Sequence, residues 1–98
     1  MNREVAISRL KPFEAPLRER GVTSLYLFGS TARGEAREDS DVDLLFDIAP
    51  GTKFSLFDQA RFVTELSSGL GAGVDLILRR ELHPFLKPRI EADLVQVF

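Results

Sequence analysis

The chain has 98 residues, enough for one domain over 1–98 and too few for two, with 44% hydrophobic and 29% charged residues, the balance of an ordinary globular protein. Thirteen basic against fifteen acidic residues leave a net charge of −2, which gives no long-range attraction for nucleic acid. The absence of cysteine removes disulfides, thiolate metal sites and thiol nucleophiles together.

From the start, Val5, Leu10, Phe13 and Leu17 recur at near-helical spacing up to Gly21, and Pro12 and Pro16 must kink or split that helix. Val22 to Phe28 reads as a core strand that stops at Gly29. Ser30 to Arg33 reads as the opening turn of a short helix with Ser30 as its N-cap, followed by a polar loop from Gly34 to Ser40. Val42 to Ile48 is a second strand, and Ala49-Pro50-Gly51-Thr52 is a turn.

Ser55 with Asp58 resembles a capping box opening a helix whose expected buried face is Leu56, Ala60, Val63, Leu66 and Leu70. Gly69, Gly71 and Gly73 are expected to end it and release a third strand, Val74 to Leu78. Pro84 suits the first turn of a last short helix, and Leu94 to Phe98 alternates as a closing edge strand. The order predicts an α/β (α+β) fold in one domain, a mixed sheet of three to four strands flanked by helices. No signal peptide is expected at the start. No apolar run approaches the roughly 20 residues that span a bilayer, so the expectation is a cytoplasmic protein with no membrane partner.

Three carboxylates carry the chemistry. Asp41 and Asp43 are two apart at the start of a strand, so both project to one side, and two clustered negative charges call for a cation. Mg²⁺ suits them, being usually held by one or two carboxylates plus substrate phosphates. Gly29-Ser30 ends the preceding strand where a helix begins, a place that admits close backbone approach and favours anions. Asp75, beside apolar Val74 and Leu76, would be a third acid, ligating metal or taking a proton from an attacking hydroxyl. The blander alternatives are a capped turn and solvated strand faces.

Gly29 to Gly34 has the glycine spacing of a P-loop, but Glu35-Ala36 stands where Lys and Ser or Thr are needed, which excludes that reading. Asp47 shares the face of Asp41 and Asp43 but lies about 14 Å along the strand from Asp43, too far to share an ion. His83 before Pro84 reads as a residue leading into the last helix. Arg79-Arg80 reads as a solvated strand end or a partner contact, and Phe54, Phe57, Phe62 and Phe85 are candidates for a partner surface.

Taken together, Gly29-Ser30-Thr31-Ala32-Arg33-Gly34, Ser40-Asp41-Val42-Asp43-Leu44 and Val74-Asp75-Leu76 resemble the signature of the DNA polymerase β-like nucleotidyltransferases, and within them the minimal nucleotidyltransferase group. The resemblance implies that Asp41 and Asp43 hold Mg²⁺, that Asp75 completes an acidic triad, and that Gly29 and Ser30 grip the triphosphate of ATP. Arg33 falls on the motif's arginine and would meet phosphate or pair with a nearby acid. The resemblance also implies the antitoxin of a type VII-like pair, transferring AMP to a tyrosine hydroxyl of a HEPN-type ribonuclease toxin. The alternatives are an antitoxin that acts by binding alone and a small-molecule nucleotidyltransferase.

Overall fold

The structure, a computed structural model, describes all 98 residues. The first helical stretch is split as its prolines require, into α1 (Arg3–Leu10), a 3₁₀ turn over Lys11–Phe13 and α2 (Glu14–Glu19). Strand β1 (Val22–Phe28) leads into α3 (Gly29–Arg33), and β2 (Val42–Ile48) into α4 (Leu56–Leu70). Then come β3 (Val74–Leu78), a 3₁₀ turn over Arg79–Glu81, α5 (Lys87–Glu91) and the two-residue edge strand β4 (Val95–Gln96).

The four strands form one mixed sheet in the order β3-β2-β1-β4. β1 runs antiparallel to both β2 and β4, whereas β2 and β3, joined through α4, are parallel. That crossover is what a parallel pair demands, since no tight turn can join strands that point the same way.

Alternation gives the sheet two faces. Leu25, Leu27, Val42, Leu44, Phe46, Leu76 and Leu78 face the main core, where Leu10, Leu17, Phe62, Leu66 and Leu70 close over them. Tyr26, Phe28, Asp43, Leu45, Asp47 and Asp75 take the opposite face. Leu45 is fully buried although it lies outside the main core, so this second face is covered too. The chain after β3 meets this face through Arg79.

The Arg79 guanidinium lies 4.8 Å over the Tyr26 ring, with Nε 3.0 Å from Asp47 and Nη1 3.7 Å from Glu91 of α5. Arg79 Nε is nonetheless without an aligned acceptor, so its approach to Asp47 is an ion pair rather than a directed hydrogen bond. The expected solvated strand end is thus corrected for Arg79, which is only 27% exposed, while Arg80 is exposed.

Other local expectations are also corrected. The buried stripe of α4 is Phe62, Leu66 and Leu70, whereas Leu56 is 82% exposed and Ala60 is exposed. Phe54, in the loop before the helix, packs beside that stripe instead, its ring 5.1 Å from Phe46 and 5.2 Å from Phe62. Phe54 and Phe62 therefore serve the core, and of the four candidate phenylalanines Phe57 and Phe85 are exposed.

Gly69 lies inside α4, where a Cβ would strike the Phe13 ring, and Gly71 makes the left-handed cap that ends the helix. Ser30 is not an N-cap, because α3 begins one residue earlier with Phe28 in the capping position and no side-chain capping bond. The last helix begins at Lys87 with Pro88 in its first turn. Pro84 instead sits in the preceding turn, where the amides of Leu86 and Lys87 both donate to the His83 carbonyl and His83 Nδ1 accepts from Phe85 N.

Candidate active site

Strand register assembles the site at one end of the second face. Phe28, the last residue of β1, pairs with Asp43, so Gly29 emerges beside the start of β2. In the parallel ladder Asp43 pairs with Asp75 and Val42 with Val74, and Val42 N donates to the Gly73 carbonyl at 2.8 Å. Asp41, one residue before β2, shares the side of Asp43. Thus Gly29, the pair Asp41 and Asp43, and Asp75, distant from one another in sequence, come together through two strand pairings.

Two glycines make room for the carboxylates. Gly29 has φ +70°, and a Cβ there would collide with Asp43 Oδ2. A Cβ at Gly73 would collide with Asp41 Oδ1. Each acid therefore lies directly against bare backbone. The role of Gly73 escapes a reading of the sequence that treats it as a helix terminator, and its signal is positional: it precedes Asp75 by two residues and enters the strand beside Asp41.

Asp41 and Asp75 are exposed and Asp43 is half-buried. Burial, and then repulsion from Asp75 and Asp41, holds the Asp43 carboxyl above its ordinary range, with Arg33 acting weakly the other way. The cluster thus carries more negative charge than its surroundings offset. The three carboxylates do not by themselves form a closed metal-ligand set. Oxygen-only donors, incomplete by themselves, fit a hard divalent cation whose remaining ligands come from phosphate. With Asp41 and Asp75 both exposed, the acids stand on an open surface.

Arg33 is engaged by its own chain. Its Nε donates to Glu35 Oε2 at 3.0 Å and its Nη1 to Asp93 Oδ2 at 2.8 Å, contacts that raise the basicity of the guanidinium further. The Arg33 guanidinium thus pairs with two acids of its own chain. Asp93 itself was not singled out by the sequence. Thr31, between Ser30 and Arg33, is 1% exposed and its Oγ1 has no hydrogen-bond partner.

The pattern of the Nucleotidyltransferase domain family matches residues 10–97, which include every residue of this cluster. The chain belongs to that family. This nucleotidyltransferase is 37% identical over 91 residues to a Thermococcus cleftensis protein named protein adenylyltransferase MntA, a match covering 92% of this chain and 90% of that one. A solved structure described as a minimal nucleotidyltransferase superposes with a TM-score of 0.80 at 36% identity, over 97% of this chain and 95% of the other. The fold also matches, at a TM-score of 0.70 and 20% identity, a chain of the complex between tri-AMPylated Shewanella oneidensis HEPN toxin and MNT antitoxin, covering 95% of this chain and 71% of that one.

Proposed function

We propose that this nucleotidyltransferase is the antitoxin of a HEPN/MNT pair and transfers AMP from ATP to a tyrosine hydroxyl of its partner ribonuclease toxin, silencing it. The observation that carries the reading is the register that aligns Asp43 with Asp75 and sets Gly29 beside Asp43. The adenylyltransferase relative supports a protein acceptor, and the complex of a HEPN toxin with an MNT antitoxin supports the kind of partner. An open acidic surface also suits a hydroxyl presented by another macromolecule better than a small enclosed ligand does.

In this reading Asp41 and Asp43 would hold Mg²⁺, and Asp75 could either ligate a second ion or serve as a base. A bound divalent cation would offset phosphate charge and stabilise the departing pyrophosphate. Gly29, having no side chain, lets its backbone and that of Ser30 approach the triphosphate. The acceptor oxygen attacks the α-phosphorus in line with the bond to the β-phosphate, the new P–O bond forms as that bond breaks, and pyrophosphate leaves. Where Asp75 holds no second ion, its exposed carboxylate, paired with Asp43 from the neighbouring strand, would take the proton of the acceptor hydroxyl.

The test is intact-mass spectrometry of the partner toxin after incubation with this protein, ATP and Mg²⁺, beside Asp41→Ala and Asp43→Ala. A gain of whole adenylyl groups that both variants abolish is the expected result. Full neutralisation by both variants with no mass gain would replace transfer by inhibition through binding. Adenylylation of small hydroxyl compounds in the absence of any partner would favour a small-molecule transferase.

A further inference from the structure

We propose that Asp93 is a positioning residue for the phosphate-gripping segment of this site, acting through Arg33; the proposal rests on the nucleotide site argued above. Helix α3 has five residues, too few to hold their own conformation, since isolated helices are marginal below about 12 to 15 residues. Its orientation must be set from outside. At its start it continues from β1 through Gly29. At its end, Gly34 N donates to the Thr31 carbonyl at 3.2 Å and Glu35 N to the Ser30 carbonyl at 2.8 Å, closing the turn locally.

Within α3 the buried Thr31 hydroxyl contributes no hydrogen bond to the surrounding fold. Arg3 reaches it from α1, donating from Nη1 to the Ala32 carbonyl at 3.0 Å. Arg33 reaches out in turn, and Asp93 is its one partner from a distant part of the chain, sixty residues on. Asp93 stands between α5 and β4, and β4 pairs with Tyr26 and Leu27 near the end of β1. The Arg33–Asp93 pair therefore closes a ring that runs from β1 through α3 to Arg33, across to Asp93, and back through β4 to β1.

That ring fixes both ends of the segment carrying Gly29 and Ser30 against the same strand. It also keeps the Arg33 guanidinium on carboxylates of its own chain, so contact with phosphate would require it to leave Asp93. The two roles have opposite consequences. If Asp93 positions the loop, its removal loosens the segment and weakens nucleotide binding; if Asp93 merely restrains a phosphate-binding arginine, its removal strengthens binding.

The test uses the full chain with Asp93→Asn, a near-isosteric change at a partly exposed site, alongside Arg33→Ala and the double variant. Two quantities are read: amide hydrogen exchange at Gly34 and Glu35 without nucleotide, and the affinity of a non-hydrolysable ATP analogue with Mg²⁺. Asp93→Asn is expected to speed exchange at both amides and to weaken the analogue, each by up to about fivefold, the range open to an exposed ion pair. The double variant is expected to bind no worse than Arg33→Ala, because the two residues act as one unit. Unchanged exchange, or tighter analogue binding by Asp93→Asn, would overturn the positioning role. Failure of the unsubstituted chain to bind the analogue would instead remove the nucleotide site itself, and the proposal with it, whatever the exchange rates show.

Discussion

Gly29 occupies a backbone conformation that costs a side-chain-bearing residue about 1–2 kcal/mol, and a Cβ there also meets Asp43. Gly29→Ala is accordingly expected to lower stability by at least that amount in urea denaturation and to abolish transfer, since Asp43 must move. Gly73 has no such backbone strain, so Gly73→Ala is expected to displace Asp41 and reduce transfer with a smaller loss of stability. Comparing the two variants by denaturation and by adenylylation rate separates strain from crowding. Asp43 itself gives a pH dependence. Its folded-state carboxyl lies above the unfolded value, so the folded chain binds that proton more tightly, and the contribution to stability declines as pH rises through the interval between the two. Asp43→Asn should therefore melt at a higher temperature than the unsubstituted chain at neutral pH in the presence of a chelator. The advantage should vanish well below the ordinary carboxylate pKa of about 3.9, and transfer should be lost at every pH.

Among the elements, α4 shows how a helix can be well specified at its start and ambiguous around its circumference. Ser55 Oγ accepts from Asp58 N while the Asp58 carboxylate accepts from Ser55 N and Ser55 Oγ, and these last two bonds hold the Asp58 carboxyl below its usual range. Ser55→Ala should cost about 1 kcal/mol of stability, checked by chemical denaturation, and leave adenylylation unchanged because the box lies at the end of the helix remote from the acids. The box is legible because it needs only residues three apart. The buried stripe is not, because Leu56, Phe57, Phe62, Val63, Leu66 and Leu70 spread apolar character around the cylinder. Which of them the core receives is settled only in the fold, where Phe54, from outside the helix, packs on Phe46 and Phe62.

Across the whole molecule, Arg79 joins the last segment to the sheet's second face through Asp47, Glu91 and Tyr26. Arg79→Met keeps much of the aliphatic bulk and leaves Asp47 without its cation. A loss of about 1–2 kcal/mol is expected in thermal denaturation, from the forfeited cation–π contact and the half-buried carboxylate left unpaired. A loss within experimental error would mean that the last segment is held to the sheet without the help of these Arg79 contacts.

The bounds of β1, β2 and β3, the split first helix and the capped start of α4 follow from local features: short apolar runs, prolines, glycines and hydroxyl caps act over a few residues and need no partner to be recognised. The acids at positions 41, 43 and 75 were legible as candidates for the same reason, through side-chain type and spacing. Which strand lies beside which, and in what register, was not. That arrangement gives Gly73 to Asp41, Asp93 to Arg33 and Arg79 to Asp47, pairings that span 32, 60 and 32 positions. Only the folded sheet decides them, because a contact across such a distance depends on where every intervening element has come to rest.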